Sequence, residues 1–343
     1  MEQENIMQEA KKFLDQEKIN EATELLMKVS VSDPMRGEAA FLLGSIALKH
    51  HKDPALAVKQ FQEALSCGNK DFLLYLGYGE AAEALGKEDA ARAAYVEAVH
   101  HPESDLTVYQ RLLRLELKCG NSQAAEIIMD ALIAKCGKNF FGVQQKIEYL
   151  LAHGRGAEAV LVLENVEGDF KGHPLYWYFR SKALVSSGKP EAALELLNGC
   201  ENVMQSPSDV VLWNKAKASA YSAAGDTQKA AVLWKKIYQL TKDRSCLLNM
   251  AALCWVEEQE EAALTYADIL LDNPVMDAVR YQAFCLKINI LRKQTPEKAL
   301  IIARQACGEL QESAPTLYRK QYQPLFAELE HQLCKRQAEP DLK

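Results

Sequence analysis

Residues Tyr75 to Ala98 read YLGYGEAAEALGKEDAARAAYVEA, and the spacing inside this stretch decides the fold. Ala91, Tyr95 and Ala98 follow one another at offsets of zero, four and seven, which lie on one face of an α-helix. The small Ala91 stands where a facing helix must approach closely. Upstream, Gly79 and Ala82 mark the same kind of face on a preceding helix. Between the two faces, Gly86 reads as a C-terminal helix cap, because glycine enters the left-handed conformation without a Cβ penalty. The stretch is therefore helix, short turn, helix.

The same unit recurs along the chain. Ala22, Ala57, Ala91, Ala125, Ala159, Ala193, Ala230, Ala262 and Ala299 succeed one another at intervals of 35, 34, 34, 34, 34, 37, 32 and 37. Four residues after each comes Leu26, Phe61, Tyr95, Met129, Leu163, Leu197, Trp234, Tyr266 or Ala303; seven after comes Val29, Ala64, Ala98, Leu132, Val166, Cys200, Ile237, Ile269 or Ala306. Glycine precedes the alanine by five positions at Gly86, Gly120, Gly154, Gly188 and Gly225. Nine positions before it the residue is apolar, as at Phe13, Leu150, Leu184, Tyr221 and Leu253, with Glu116 the departure. A fixed period of this length marks stacked units, each too small to bury its apolar face alone. The two intervals of 37 point to extra loop or helix near Glu201 to Ser208 and near Lys293 to Pro296.

This pattern resembles the tetratricopeptide repeat, with its small residue, aromatic, turn glycine, alanine, second aromatic and second alanine matched best by Tyr75 through Ala98, and a closing proline at Pro34 and Pro274. The resemblance covers residues 3 to 312. It implies an all-α, right-handed α-α superhelix, a solenoid of about eight to nine helix-turn-helix repeats over 1–312. A C-terminal capping helix is expected over 313–334 and a flexible tail over 335–343. The cap is read from Leu317, Tyr318, Tyr322, Leu325, Phe326, Leu329 and Leu333, which follow Pro315, with Pro324 breaking or restarting the helix. The small residue twelve before the alanine is kept at Ala10, Gly79, Ser181 and Ala218 but becomes Leu113, Ile147 and Met250 elsewhere, so those helix pairs are expected to sit further apart.

Composition sets limits. The chain has 343 residues, 25% charged and 48% hydrophobic, with a formal net charge of −7. The charge argues against a dedicated nucleic-acid surface, which needs clustered Lys and Arg to displace counterions. The start, Met1-Glu2-Gln3-Glu4-Asn5, has no signal-like basic and apolar segments, and no apolar run reaches the roughly 20 residues that span a bilayer. A cytoplasmic protein without membrane contact is expected. The nine cysteines contain no C-x-x-C and read as small core residues rather than disulfides or metal ligands.

No phosphate-binding glycine loop, G-x-S-x-G or H-E-x-x-H is present. The pairs His50-His51 and His100-His101 point about 100° apart on a helix and cannot readily share a metal. No enzyme, no cofactor and no metal is expected. Function is expected instead on the first helices. In the family that the repeat resembles, their concave face holds an extended peptide or partner helix, at positions 8, 11, 15 and 18 before the alanine. Here these rows include Leu117, Arg114 and Gln110; Leu151, Glu148, Gln144 and Phe141; Val185, Lys182 and Tyr178; Ser222, Ser219 and Lys215. The candidate binding residues are Gln110, Arg114, Lys118, Phe141, Gln144, Tyr178, Lys182, Lys215 and Trp255. Aromatics act as anchors and the cations as partners for an acidic peptide. An alternating charge row on a solvated surface is the plainer reading of Arg114, Glu148 and Lys182. The carboxylate clamp of chaperone-binding repeats is absent, because Ser219 stands where the family has Asn and Leu247 and Leu248 occupy the next unit.

These features describe a non-catalytic interaction scaffold or chaperone-like adaptor for a protein or peptide partner, as a monomer or weak homo-oligomer. A self-assembling structural protein and an unrecognised enzyme are the alternatives.

Overall fold

In eight successive turns a residue with left-handed backbone stands five positions before a fully buried alanine. Glu17, Lys52, Gly86, Gly120, Gly154, Gly188, Gly225 and Glu258 have φ between 51° and 82°, and Ala22, Ala57, Ala91, Ala125, Ala159, Ala193, Ala230 and Ala263 are 0% exposed. The structure, a computed structural model, describes residues 2–273, 275, 277–313 and 322–338, with side chains over 4–311 and 322–331 apart from 274 and 276. The expectations for Pro274, for 314–321 with Pro315, Leu317 and Tyr318, for the Leu333 side chain, and for 339–343 lie outside the described residues.

Nine helix pairs are present among the described residues, the first eight joined by these turns. They are α1 (Glu2–Asp15) with α2 (Ile19–Met27), α3 (Arg36–Lys49) with α4 (Pro54–Ser66), α5 (Phe72–Ala84) with α6 (Glu88–His100), and α7 (Leu106–Cys119) with α8 (Ser122–Cys136). Next is α9 (Phe141–Ala152) with α10 (Gly156–Asn165), followed by the single turn α11 (Glu167–Phe170). Then come α12 (Pro174–Ser186) with α13 (Pro190–Gly199), α14 (Pro207–Ala223) with α15 (Thr227–Thr241), α16 (Ser245–Val256) with α17 (Glu260–Asp272), and α18 (Ala278–Gln294) with α19 (Pro296–Ser313). The last helix is α20 (Gln323–Ala338). All regular structure among the described residues is helical, so the chain is all-α. It divides into two compact units, Met1–Lys146 and Ile147–Lys343.

In the first unit, Phe61 and Tyr95 stand four residues after the turn alanines and fill the space left by glycines. A Cβ on Gly44 would come within 2.7 Å of the Phe61 ring, and one on Gly77 within 2.9 Å of it from the next pair. Phe61, Tyr95, Leu74, Leu112 and Leu115 share one core. Glu116, the departure from the apolar row, is 2% exposed. It is held by hydrogen bonds from Arg92 Nε and Asn121 Nδ2, both at 2.6 Å. A buried carboxylate is tolerated there because it is paired and doubly hydrogen-bonded.

In the second unit the repeat phase differs from expectation at the eighth pair. Ala262 is half-buried, Tyr266 is half-buried and Ile269 is 48% exposed, whereas Ala263, Ala267 and Leu270 form the buried stripe. The stripe is displaced by one residue because Glu258, not glycine, takes the left-handed position and sets where the helix begins. In the corrected register the small residue twelve before is Ala251, 0% exposed, in place of Met250. The intervals on either side become 33 and 36. The extra length after the sixth pair is a 3₁₀ turn, Glu201–Val203, and a 17-residue α14; before the ninth turn it is a 17-residue α18. That ninth turn has no left-handed residue and uses Pro296 to open α19.

Because Glu258 adopts φ 59°, Glu258→Gly is expected to stabilise the second unit by about 1 kcal/mol. Gly188→Ala is expected to destabilise by a similar amount, although nothing lies within 4 Å of the added methyl. Opposite shifts in urea midpoint check the pair; equal shifts would mean that packing, not the dihedral, governs these turns.

At the C-terminal end, Tyr322 and Leu329 are buried against Phe284, Ile288, Ala303 and Leu310, with Leu325 and Phe326 packed beside them. Pro324 is the second residue of α20, where its missing N–H has no intrahelical partner to lose. The helix runs to Ala338, so the stretch expected as tail begins inside it. Of the described cysteines, Cys200 and Cys246 are buried, Cys67 is exposed and the other five are half-buried, so the expectation of core cysteines holds fully only at two positions.

Candidate functional site

The inner rows of the first helices can be followed separately in each unit. In the first, Gln110, Arg114 and Lys118 are exposed along α7, one turn apart. Both cations are paired within the chain. Arg114 Nη2 donates to Glu83 Oε1 and Oε2 at 2.9 and 3.1 Å, and Lys118 Nζ lies 3.3 Å from Glu88 Oε1. Phe141 and Gln144 are half-buried at the start of α9. The Phe141 N–H is capped by Asn139 Oδ1 at 3.0 Å.

In the second unit, Tyr178 is half-buried and meets Phe179 edge-on at 5.2 Å. The Lys182 ammonium sits 5.4 Å from the centre of the Tyr178 ring and 5.9 Å from that of Phe179, within cation–π range. Lys215 is bound to Asp243 at 2.6 Å. Burial works against both charges of this pair, but their mutual hydrogen bond prevails: the Asp243 carboxyl lies below its ordinary range and the Lys215 ammonium above its own. Trp255 is half-buried, with Lys293 Nζ 6.0 Å from its ring.

Glu148, Leu151, Ala152, Lys182, Val185, Ser186 and Ser219 line a concavity of about 460 Å³ on α9, α12 and α14. Glu148, Lys182 and Ser219 come from the row 11 before the alanine, and Leu151 and Val185 from the row 8 before it, so the two inner rows converge on one hollow. It offers apolar walls, hydroxyls, the Glu148 carboxylate and one ammonium, Lys182, that has no ion-pair partner among the described residues. Of the named candidates, Lys182 alone lines it. Tyr178 supports Lys182 from one turn below, whereas Lys215 is occupied by Asp243. Sequence reading missed the counter-charges Glu83, Glu88 and Asp243. They lie 31, 30 and 28 residues from their partners, slightly less than one repeat, and that near-period spacing was the available signal.

Among the described residues no group of three His, Cys, Asp or Glu is placed to hold a metal ion. No described helix is long and apolar enough to cross a membrane.

Paired helices, buried turn alanines and a repeating left-handed turn define a helical-repeat solenoid protein. The family model for the tetratricopeptide repeat matches residues 7–72, and the same turn geometry continues through the eighth pair. The chain thus has a tetratricopeptide-type helical-repeat fold, one that supports a protein-interaction adaptor or scaffold in general. Among solved structures, that of Naa15/Naa10 bound to HypK-THB is similar over 90% of this chain and 47% of that chain, at 14% identity and a TM-score of 0.51. The chain thus spans about half the length of that relative. Yeast Tom70 is similar at 15% identity and a TM-score of 0.48, over 90% of this chain and 63% of that one. A tetratricopeptide repeat protein from Parabacteroides merdae is similar at 15% and 0.41, over 76% and 98%. No curated protein matches the sequence.

Proposed function

We propose that this chain is a non-catalytic, chaperone-like adaptor that binds an extended or helical segment of a partner protein on its inner helix face. The observation that carries the reading is the hollow around Lys182, where Leu151 and Val185 supply apolar contact beside a cation with no carboxylate partner among the described residues. An acidic side chain flanked by apolar ones complements it. Arg114, Lys118 and Lys215 contribute less, because a ligand carboxylate would have to displace Glu83, Glu88 or Asp243.

The test is affinity capture from the source cell with Lys182→Glu. Capture of the principal partner is expected to weaken at least tenfold, about 1.4 kcal/mol, and to fade as salt rises to 0.15 M, where charges are screened beyond about 8 Å. Tyr178→Ala is a poorer probe, since the ring packs against the cluster of Leu197, Cys200 and Ala216 and its loss would also cost stability. A folded Lys182→Glu variant that captures the partner undiminished would remove the inner face from the function.

A further inference from the structure

The second unit holds a second hollow on the other side of α14. Trp213, Asn214, Lys217 and Tyr221 of α14 and Gln228, Lys229, Val232 and Leu233 at and along α15 line a cleft of about 480 Å³. At 3.6 residues per turn, its four α14 residues centre about 150° around the helix from Lys215, Ser219 and Ser222 of the inner rows. The cleft is therefore separate from the inner face.

Asn214, 4% exposed, lines the cleft. The Trp213 ring is fixed, its Nε1–H donating to Leu197 O at 3.0 Å, and Lys217 Nζ lies 3.9 Å from its centre. Lys217 has no carboxylate partner among the described residues, whereas Lys229 is committed to Asp226 at 2.7 Å. Val232 is 68% exposed at the rim.

We propose that this cleft is a second peptide-docking site, for an extended segment of a partner protein with an acidic residue beside an apolar one. The Asn214 amide offers both an acceptor and donors, which match the N–H and C=O of one peptide unit. Lys217 pairs with the segment's carboxylate, and Trp213, Val232 and Leu233 receive the apolar side chain. A protein of net charge −7 with an unpaired ammonium over a tryptophan is complementary there to a carboxylate and not, overall, to a polyanion.

A display library of random twelve-residue peptides, selected on the full chain, tests this. Enriched peptides are expected to carry Asp or Glu next to a large apolar residue. Their binding should fall at least tenfold with Lys217→Glu and with the near-isosteric Asn214→Leu, while Lys236→Glu, the same charge change elsewhere on α15, leaves it unaltered. Should Asn214→Leu unfold the unit, Lys217→Glu and a Glu-to-Gln change in the peptide still decide. Peptides indifferent to both changes, or lost only with Lys182→Glu, would overturn the proposal, the latter by placing them on the inner face.

Discussion

Replacing Gly79 by valine is expected to destabilise the first unit by about 3 kcal/mol or more, the upper end of what overpacking costs. A Cβ at this position would lie 2.6 Å from Tyr95 Cδ1 and press on Cε1 as well. The ring cannot slide aside, because Tyr95 is 0% exposed and its hydroxyl donates to Glu83 Oε2 at 3.0 Å. Gly79→Ala should be harmful for the same reason. By contrast Gly308→Ala, in α19 with nothing within 4 Å, is expected to stabilise its helix by about 0.5 to 1 kcal/mol. Hydrogen exchange resolved along the chain checks both. Loss of protection is expected in α5 and α6 for the first change, and gain in α19 for the last. If Gly79→Val leaves the protection of α5 unaltered, the helix contact is looser than described.

The second large effect is expected at Arg280. Its guanidinium is buried and donates to Glu309 Oε2 and Oε1 at 3.0 and 2.9 Å, to Asn273 O at 2.8 Å and to Leu271 O. One side chain thereby ties α17, α18 and α19 together. Glu309→Ala would leave that cation buried without its carboxylate, at a cost of about 3 to 5 kcal/mol. Replacing both partners, Arg280→Met with Glu309→Leu, should recover most of the loss, since two apolar groups need no partner. The Arg280 hydrogen bond also holds the Glu309 carboxyl below the ordinary carboxylate range. A carboxyl lowered in the folded state contributes stability that is complete above its unfolded pKa and is lost as pH falls through the folded one. The natural chain should therefore lose stability in acid more steeply than the double variant, measured by urea melts from neutral pH downward. Parallel pH profiles would show that the pair makes no such contribution.

Part of the candidate site was legible in the sequence and part was not. Lys182, Glu148, Leu151, Val185 and Ser219 were placed on one face by counting back from the turn alanine, and they line one hollow. Counting assigns a residue to a face, but it does not say whether its charge is already satisfied. Arg114 and Lys215 stood in such rows and Lys118 beside one, yet each meets a carboxylate, from α5, from the loop before α16 and from the start of α6 respectively. Asn214 drew no attention, because an asparagine in a helix is ordinarily solvated; its burial depends on how α15 lies across α14.

The sequence by itself determined the repeating helix pair, because each pair is built from local signals. An apolar stripe at helical spacing and a glycine that alone enters the left-handed region freely are both readable within one period. What the tertiary structure decided is the phase at the eighth pair, where that glycine is missing. Glu17, Lys52 and Glu258 make the same turn without announcing it. At the eighth pair two adjacent alanines leave the buried one ambiguous, although Pro190-Glu191-Ala192-Ala193-Leu194 set against Glu260-Glu261-Ala262-Ala263-Leu264 would have indicated Ala263. Between neighbouring alanines composition is indifferent, and only the facing helix, by covering one of them, selects which lies inside.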